Sequence, residues 1–205
     1  MTENGLLIAT KNMHKVEEIG EILADRSIIL KTLDHFPEMG DAVEDGGSYE
    51  ENACKKAVYY ASGTGCIALA DDSGLEIDAL GGIPGIHSAR FIGPHVSFRE
   101  RNEHILELMK NIDDSRRNAH FTCVVAISWP DGKTRIFRGE LHGFIAREIK
   151  GEHGFGYDPV FYVPEYDKNL AELESAEKNR ISHRSRALAA ARGALQDMFP
   201  SIASA

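Results

Sequence analysis

An α/β fold on a mixed, twisted sheet with flanking helices is what this sequence predicts, and three observations carry the prediction. Apolar runs of strand length alternate with helical stripes through the first half of the chain. Two helices open on a Ser-x-x-Glu capping box, at Ser48/Glu51 and Ser97/Glu100. The middle of the chain holds a long period-two alternation broken by Pro-Asp-Gly, which predicts an antiparallel hairpin.

"GLLIAT" reads as a buried strand, and "HKVEEIGEILAD" follows as a helix with Val16, Ile19, Ile22 and Leu23 on one stripe. "SIILKTL" is the next strand. The segment "SYEENACKKAVYYASG" is a helix from its capping box to Gly63. "CIALADD" and "LEIDAL" are two further strands, with a turn on Ser73 and Gly74 between them. "SFRERNEHILELMKNI" is a helix burying Ile105, Leu108, Met109 and Ile112. In the hairpin, Phe121, Cys123, Val125, Ile127 and Trp129 share one face. "PVFYV" is a short strand, and a last helix, "SHRSRALAAARGALQDMF", turns Leu188, Ala191, Leu195 and Met198 inward, with Ser182 as a candidate N-cap.

At 205 residues, with 42% hydrophobic and 27% charged residues, the chain is long enough to bury a core without staples. No repeat, low-complexity segment or linker divides it, so one domain over 1–205 is expected. "MTENGLLIATKN" lacks the pattern of a secretory signal, and no apolar run approaches membrane-spanning length. Three separated cysteines, Cys54, Cys66 and Cys123, form neither a disulfide framework nor a zinc pattern; the cytoplasm is the expected location. A net charge of −9 opposes non-specific attraction to a polynucleotide and disfavours an RNA-binding module.

Four segments carry candidate chemistry. "ATKNMHK" runs from a strand into a helix start, where backbone N–H groups and the dipole favour an anion, with Lys11 and Lys15 adding charge. It is not a P-loop, so Thr10 and Asn12 would supply the polar contacts. "VEDGGSYEENACKKA" places Glu44 in an acidic loop and sets Asn52 and Lys56 on one helix face. "HGFGYDPVF" is not a dinucleotide fingerprint, because Pro159 and a strand follow; it reads as a rigid loop in which Gly154 and Gly156 allow unusual backbone angles. Phe155 and Tyr157 there either stack on a base or enter the core. "AEKNRISHRSRA" gathers Lys178, His183 and Arg184 at a helix start, an arrangement that opposes the macrodipole and suggests an anionic or carbonyl-bearing partner. The adjacent acids Asp71 and Asp72 remain open between a turn and a metal-binding strand end.

With "GGSYEENACKKA" and "ADDSGLEIDALGGIPGIHSARF" added to "ATKNMHK", "GFGYDPVF" and "AELESAEKNRISHRSRAL", the sequence resembles the inosine/xanthosine triphosphate pyrophosphatase family. The five strings fall in order over nearly the whole chain. The resemblance implies hydrolysis of non-standard purine nucleoside triphosphates (ITP, dITP, XTP) to the monophosphate and pyrophosphate, with Mg²⁺ as cofactor, in a homodimer whose active-site cleft lies between two lobes. By this resemblance Asp72 and Glu44 hold the metal, Asp72 accepts the proton of the attacking water, and Asp71 is a neighbouring ligand or orienter. Lys56 offsets phosphate charge. Thr10, Lys11, Asn12, Met13, His14 and Lys15 form the substrate loop, and Ser73 touches substrate. Phe155, Gly156, Tyr157 and Asp158, with Lys178, His183 and Arg184, select the base. A nucleotide-binding regulatory protein without turnover is the alternative; clustered carboxylates weigh against it.

Overall fold

The computed structural model describes residues 5–24 and 28–199. Its main strands and helices run β1 (Gly5–Ile8), α1 (Met13–Leu23), β2 (Ile29–Thr32), α2 (Tyr49–Thr64), β3 (Ile67–Ile77), α3 (Phe98–Met109), β4 (Asn118–Ser128), β5 (Thr134–Ile145), β6 (Phe161–Val163), β7 (Lys168–Asn169), α4 (Ser175–Ile181), α5 (His183–Ala190) and α6 (Arg192–Met198). The sheet has the order β2-β1-β3-β4-β5-β6-β7. β1 pairs in parallel with β2 and β3, whereas β5–β6 and β6–β7 are antiparallel, so the expected mixed sheet is present. No helix among the described residues is long and apolar enough to cross a membrane.

Two compact units divide the chain: Met1–Asp72 with Cys123–Gly139 and Arg184–Ala205, and Ser73–Thr122 with Glu140–His183. In the first, α1 and α2 are the crossovers that parallel pairing of β1, β2 and β3 requires. Its core joins Leu6, Ile8, Ile19, Leu23, Leu69, Cys123, Val125, Ile127, Leu188 and Leu195. In the second, Leu75, Ile77, Ile105, Met109, Phe121, Ile145, Phe161 and Leu170 form the core.

Local signals set most helix ends. Asn12 caps α1 and Ser48 caps α2 through the Glu51 N–H, but the Glu51 carboxylate accepts from Gly47 N–H (2.9 Å), so the expected Ser48/Glu51 box is only half formed. The Ser97/Glu100 capping box of α3 is complete, each side chain accepting the other residue's N–H. α2 continues past the expected stop at Gly63 to Gly65, whose φ of 68° is the left-handed C-cap glycine favours.

β3 departs most from expectation: Ser73 and Gly74 do not turn the chain, and one strand runs from Ile67 to Ile77. β3 lies in the sheet interior between β1 and β4, where pairing on both sides outweighs the local turn propensity of Asp-Ser-Gly. The end of "LEIDAL" is a 3₁₀ turn, Asp78–Leu80. The strand expected from Ser27 is observed only at Ile29–Thr32; Ser27, like the expected helix end at Asp25, lies outside the described residues. Leu108 is exposed, and Leu106 packs against the core in its place. From Phe121 to Ser128 every residue of β4 is buried, so the period-two face understates a strand covered on both sides, while Trp129 stands beyond the strand end. α4 was not anticipated, and the last helix is two, α5 and α6, separated at Ala191. Ser182 is extended between α4 and α5.

Within the second unit, buried Arg117 ties the end of α3 to the end of β5. Its guanidinium donates to the carbonyls of Met109 (2.5 Å), Ile145 (2.7 Å) and Ala146 (2.6 Å). Replacing Arg117 with Met would remove these three charged donors, at about 1 kcal/mol apiece, although the Met109 carbonyl keeps the Ile112 N–H. Denaturant unfolding of Arg117→Met is expected to show a loss of about 2–4 kcal/mol, with Arg117→Lys intermediate because an ammonium reaches fewer of the three.

Candidate active site

In the first unit, β3 delivers Asp71 and Asp72 to opposite faces because successive side chains of a strand alternate. Asp71 is wholly buried. Its Oδ2 accepts from Lys15 Nζ (3.0 Å), Arg184 Nη2 (3.1 Å) and Arg184 Nε (3.3 Å), and Arg184 also pairs with Glu18. Burial alone would raise the Asp71 carboxyl, but Lys15, Arg184 and Lys56 outweigh it and hold it well below the usual range. The Arg184 guanidinium is likewise kept charged, burial being overcome by Asp71 and Glu18. Cys123 Sγ lies 3.9 Å from the same carboxylate, and burial pushes its thiol up to about 12.

Asp72 faces the other way, toward α2. The Asn52 amide donates to its Oδ2 at 3.1 Å. Burial raises the Asp72 carboxyl, opposed by Lys15, Lys56 and Asn52 and reinforced by the charge of Glu44. Lys56 Nζ donates to the Asp71 carbonyl (3.0 Å) and pairs with Glu44 (2.9 Å). Burial pulls this lysine down, yet Asp71 and Glu44 keep it raised and protonated. The loop bearing Glu44 is tied to basic residues along its length, with Asp41 on Lys11 (2.6 Å) and Asp45 on Lys55 (2.7 Å).

The substrate loop is more self-contained than its sequence suggests. Asn12 Oδ1 accepts from His14 N–H (3.1 Å) and Lys15 N–H (3.4 Å), taking two donors expected for phosphate, and Thr10 Oγ1 accepts the Asn12 N–H. Met13 and His14 are exposed, and Lys11 is engaged by Asp41. Thr10, Lys11 and Met13 also wall a pocket of ≈400 Å³ closed by Leu33, Phe36, Pro37 and Met39. Thr32 and Asp34 also line it.

In the second unit, Gly154 and Gly156 have φ of 71° and 72°, the unusual angles expected of that loop. Asp158, 2% exposed, accepts from the Phe155 N–H (2.9 Å) and from Lys178 Nζ (2.6 Å), while that ammonium lies 4.9 Å from the Phe155 ring centre. A Cβ at Gly154 would fall 2.2 Å from Asp158 Oδ2, so glycine permits this closure. His183 stacks on Phe121 at 4.7 Å and 12°. Ser73 is half-buried on β3.

Tyr157, Arg184 and Asp71 each have partners within their own unit. The Tyr157 ring is a core residue whose hydroxyl donates to the Ser88 carbonyl (2.8 Å). Arg184 is buried and donates to Asp71 and Glu18, because a buried guanidinium takes the nearest carboxylates. Asp71, on the strand face opposite Asp72, is the counter-ion of Lys15 and Arg184. Asn52 was missed as a site residue; its shared helix face with Lys56 was the available signal.

A sequence model of the Ham1 family matches residues 6–194. This chain belongs to the Ham1 family. Over 194 residues it is 45% identical to the dITP/XTP pyrophosphatase of Desulforamulus reducens, covering 95% of this chain and 96% of that protein. Among solved structures, a HAM1 protein from Coxiella burnetii superposes with a TM-score of 0.84 at 42% identity, covering 94% and 98% of the two chains. A nucleoside-triphosphatase / dITP/XTP pyrophosphatase from Mycobacterium abscessus gives 0.73 at 39% identity, covering 91% and 97%. These Ham1 likenesses span both compact units, so the mixed α/β architecture is the family's own.

Breaking the buried pair without removing both charges is costly. Arg184→Met is expected to destabilise this Ham1 protein by about 3–5 kcal/mol, read by denaturant unfolding. The pH dependence follows from Asp71, whose folded pKa is depressed. Its contribution is fully present above the unfolded carboxylate range near ~4 and is lost as pH falls toward the lower folded value. An acid titration of stability should therefore decline below pH ~4, and an Asp71→Asn variant should show a shallower decline.

Proposed function

We propose that this chain hydrolyses the α–β phosphoanhydride of ITP, dITP and XTP, releasing the nucleoside monophosphate and pyrophosphate. The observation that carries the reading is Asp72: a largely buried carboxylate held by Asn52, with Lys15, Lys56 and Glu44 acting on it. The dITP/XTP pyrophosphatases to which the chain is 44–46% identical support the substrate class.

In this mechanism Asp72 accepts a proton from the water that attacks the α-phosphorus, and pyrophosphate is the leaving group. Lys56, kept protonated by its acidic neighbours, offsets charge on the phosphate oxygens, and Lys15 adds a second cation. Among the described residues no three acidic, His or Cys side chains converge as a ready metal cage. Glu44 and Asp72 nevertheless suit Mg²⁺, which takes one or two protein carboxylates and completes its octahedron with phosphate and water oxygens. Bound there, the ion would neutralise phosphate charge.

Base choice is assigned to the group around Phe155. Its ring supplies a stacking surface, and Lys178 and His183 lie on the helices that follow this loop in the chain. Hypoxanthine and xanthine present a 6-oxo acceptor where adenine presents an amino donor, so a protein donor at that edge discriminates against adenine. A cytoplasmic location, suggested by three free thiols, and a homodimer, suggested by the family resemblance, complete the reading.

The decisive experiment supplies Mg²⁺ with ITP, dITP, XTP, GTP or ATP and identifies the product. Pyrophosphate released fastest from ITP, dITP or XTP, and lost on chelation, is the expected outcome; orthophosphate or equal turnover of ATP would overturn it, and binding without turnover would leave the regulatory alternative. Asp72→Asn should lower kcat by about 10²–10⁴-fold with an unchanged melting temperature.

A further inference from the structure

Asn52 sits in the first turns of α2 and is 1% exposed. Both ends of its amide are engaged, and by groups of opposite character. Oδ1 accepts the Gly46 N–H at 2.8 Å, and Nδ2 donates to Asp72 Oδ2 at 3.1 Å. A backbone N–H can only donate, so Gly46 dictates the amide orientation and the NH₂ group must face the carboxylate.

The approach on the Gly46 side is as tight as a main chain allows. A Cβ at residue 46 would lie 2.8 Å from Asn52 Oδ1 and 2.7 Å from Glu51 Cβ. Gly46 is two residues from Glu44, whose carboxylate meets Lys56 at 2.9 Å, and Lys56 is one helical turn beyond Asn52. One buried amide therefore spans the loop that carries Glu44 and the strand that carries Asp72.

We infer that Asn52 is a positioning residue for hydrolysis: its amide holds Asp72 Oδ2 in a fixed orientation and registers the Glu44 loop against it. This rests on the reading of Asp72 as the proton acceptor. A carboxylate held by a buried donor loses little orientation entropy at the moment of attack, whereas one released from it samples unproductive rotamers. The effect therefore belongs in kcat and not in substrate affinity.

The test uses Asn52→Asp and Asn52→Ala in the full chain, with dITP and Mg²⁺, measuring pyrophosphate release and thermal melting. Asn52→Asp keeps an acceptor for Gly46 and removes the donor to Asp72. It is expected to lower kcat by about 10–100-fold with KM changed less than about threefold, and to lower the melting temperature because the new carboxylate is buried against Asp72. Asn52→Ala removes both bonds and should lose activity and stability together; if it does not fold, Asn52→Asp decides alone. A kcat at the parent level in Asn52→Asp, or a change confined to KM, would overturn the inference, because either makes the amide a structural tie for the loop. Asp72→Asn run alongside separates the two readings. Full activity there removes Asp72 from its role, while an inactive Asp72→Asn with a normal Asn52→Asp removes Asn52 alone.

Discussion

The buried carboxylate of Asp71 is the constraint around which the first unit is arranged. A charge with no solvent exposure is tolerable only when it is paired and hydrogen-bonded, and Asp71 meets that demand with Lys15 from α1 and Arg184 from α5. Glu18 supplies the second anion for Arg184. One interior charge thus fixes where three elements meet.

This arrangement places the carboxylate of Asp72. With Asp71 directed into the cation cluster, strand alternation sends Asp72 to the other face, beside Asn52. Lys15 serves the cluster while its charge also bears on Asp72. Lys56 connects both neighbours, donating to the Asp71 carbonyl and pairing with Glu44. The second unit uses the same logic on a smaller scale. Buried Asp158 is met by Lys178 and a backbone N–H, and the closure presents Lys178 beneath the Phe155 ring.

Much of the architecture was legible because its signals are local. The Ser97/Glu100 box, the Ser48 cap and the glycines around Phe155 act within a few residues, and each formed where the sequence placed it. The turn at Ser73 failed because its local signal was read without the neighbouring strands that flank β3 in the sheet. Leu108 failed through helix phase: the buried side of α3 passes through Arg101, Asn102, Ile105 and Met109, and the first two are polar in sequence. Tyr157 fell to the core because its hydroxyl has a carbonyl partner, Ser88, that no spacing rule could supply.

By itself the sequence determined the alternation of strands and helices in the first half of the chain, most helix N-caps, the motif strings of the Ham1 family and the residue types available for phosphate chemistry. These depend on short-range hydrogen bonding and on the hydrophobic period. Tertiary structure alone decided that Asp71 pairs with Lys15 and Arg184 while Asp72 turns to Asn52. The reason is desolvation: Asp71 and Arg184 lie 113 residues apart in the chain, and their charges are stable only because folding buries them against each other.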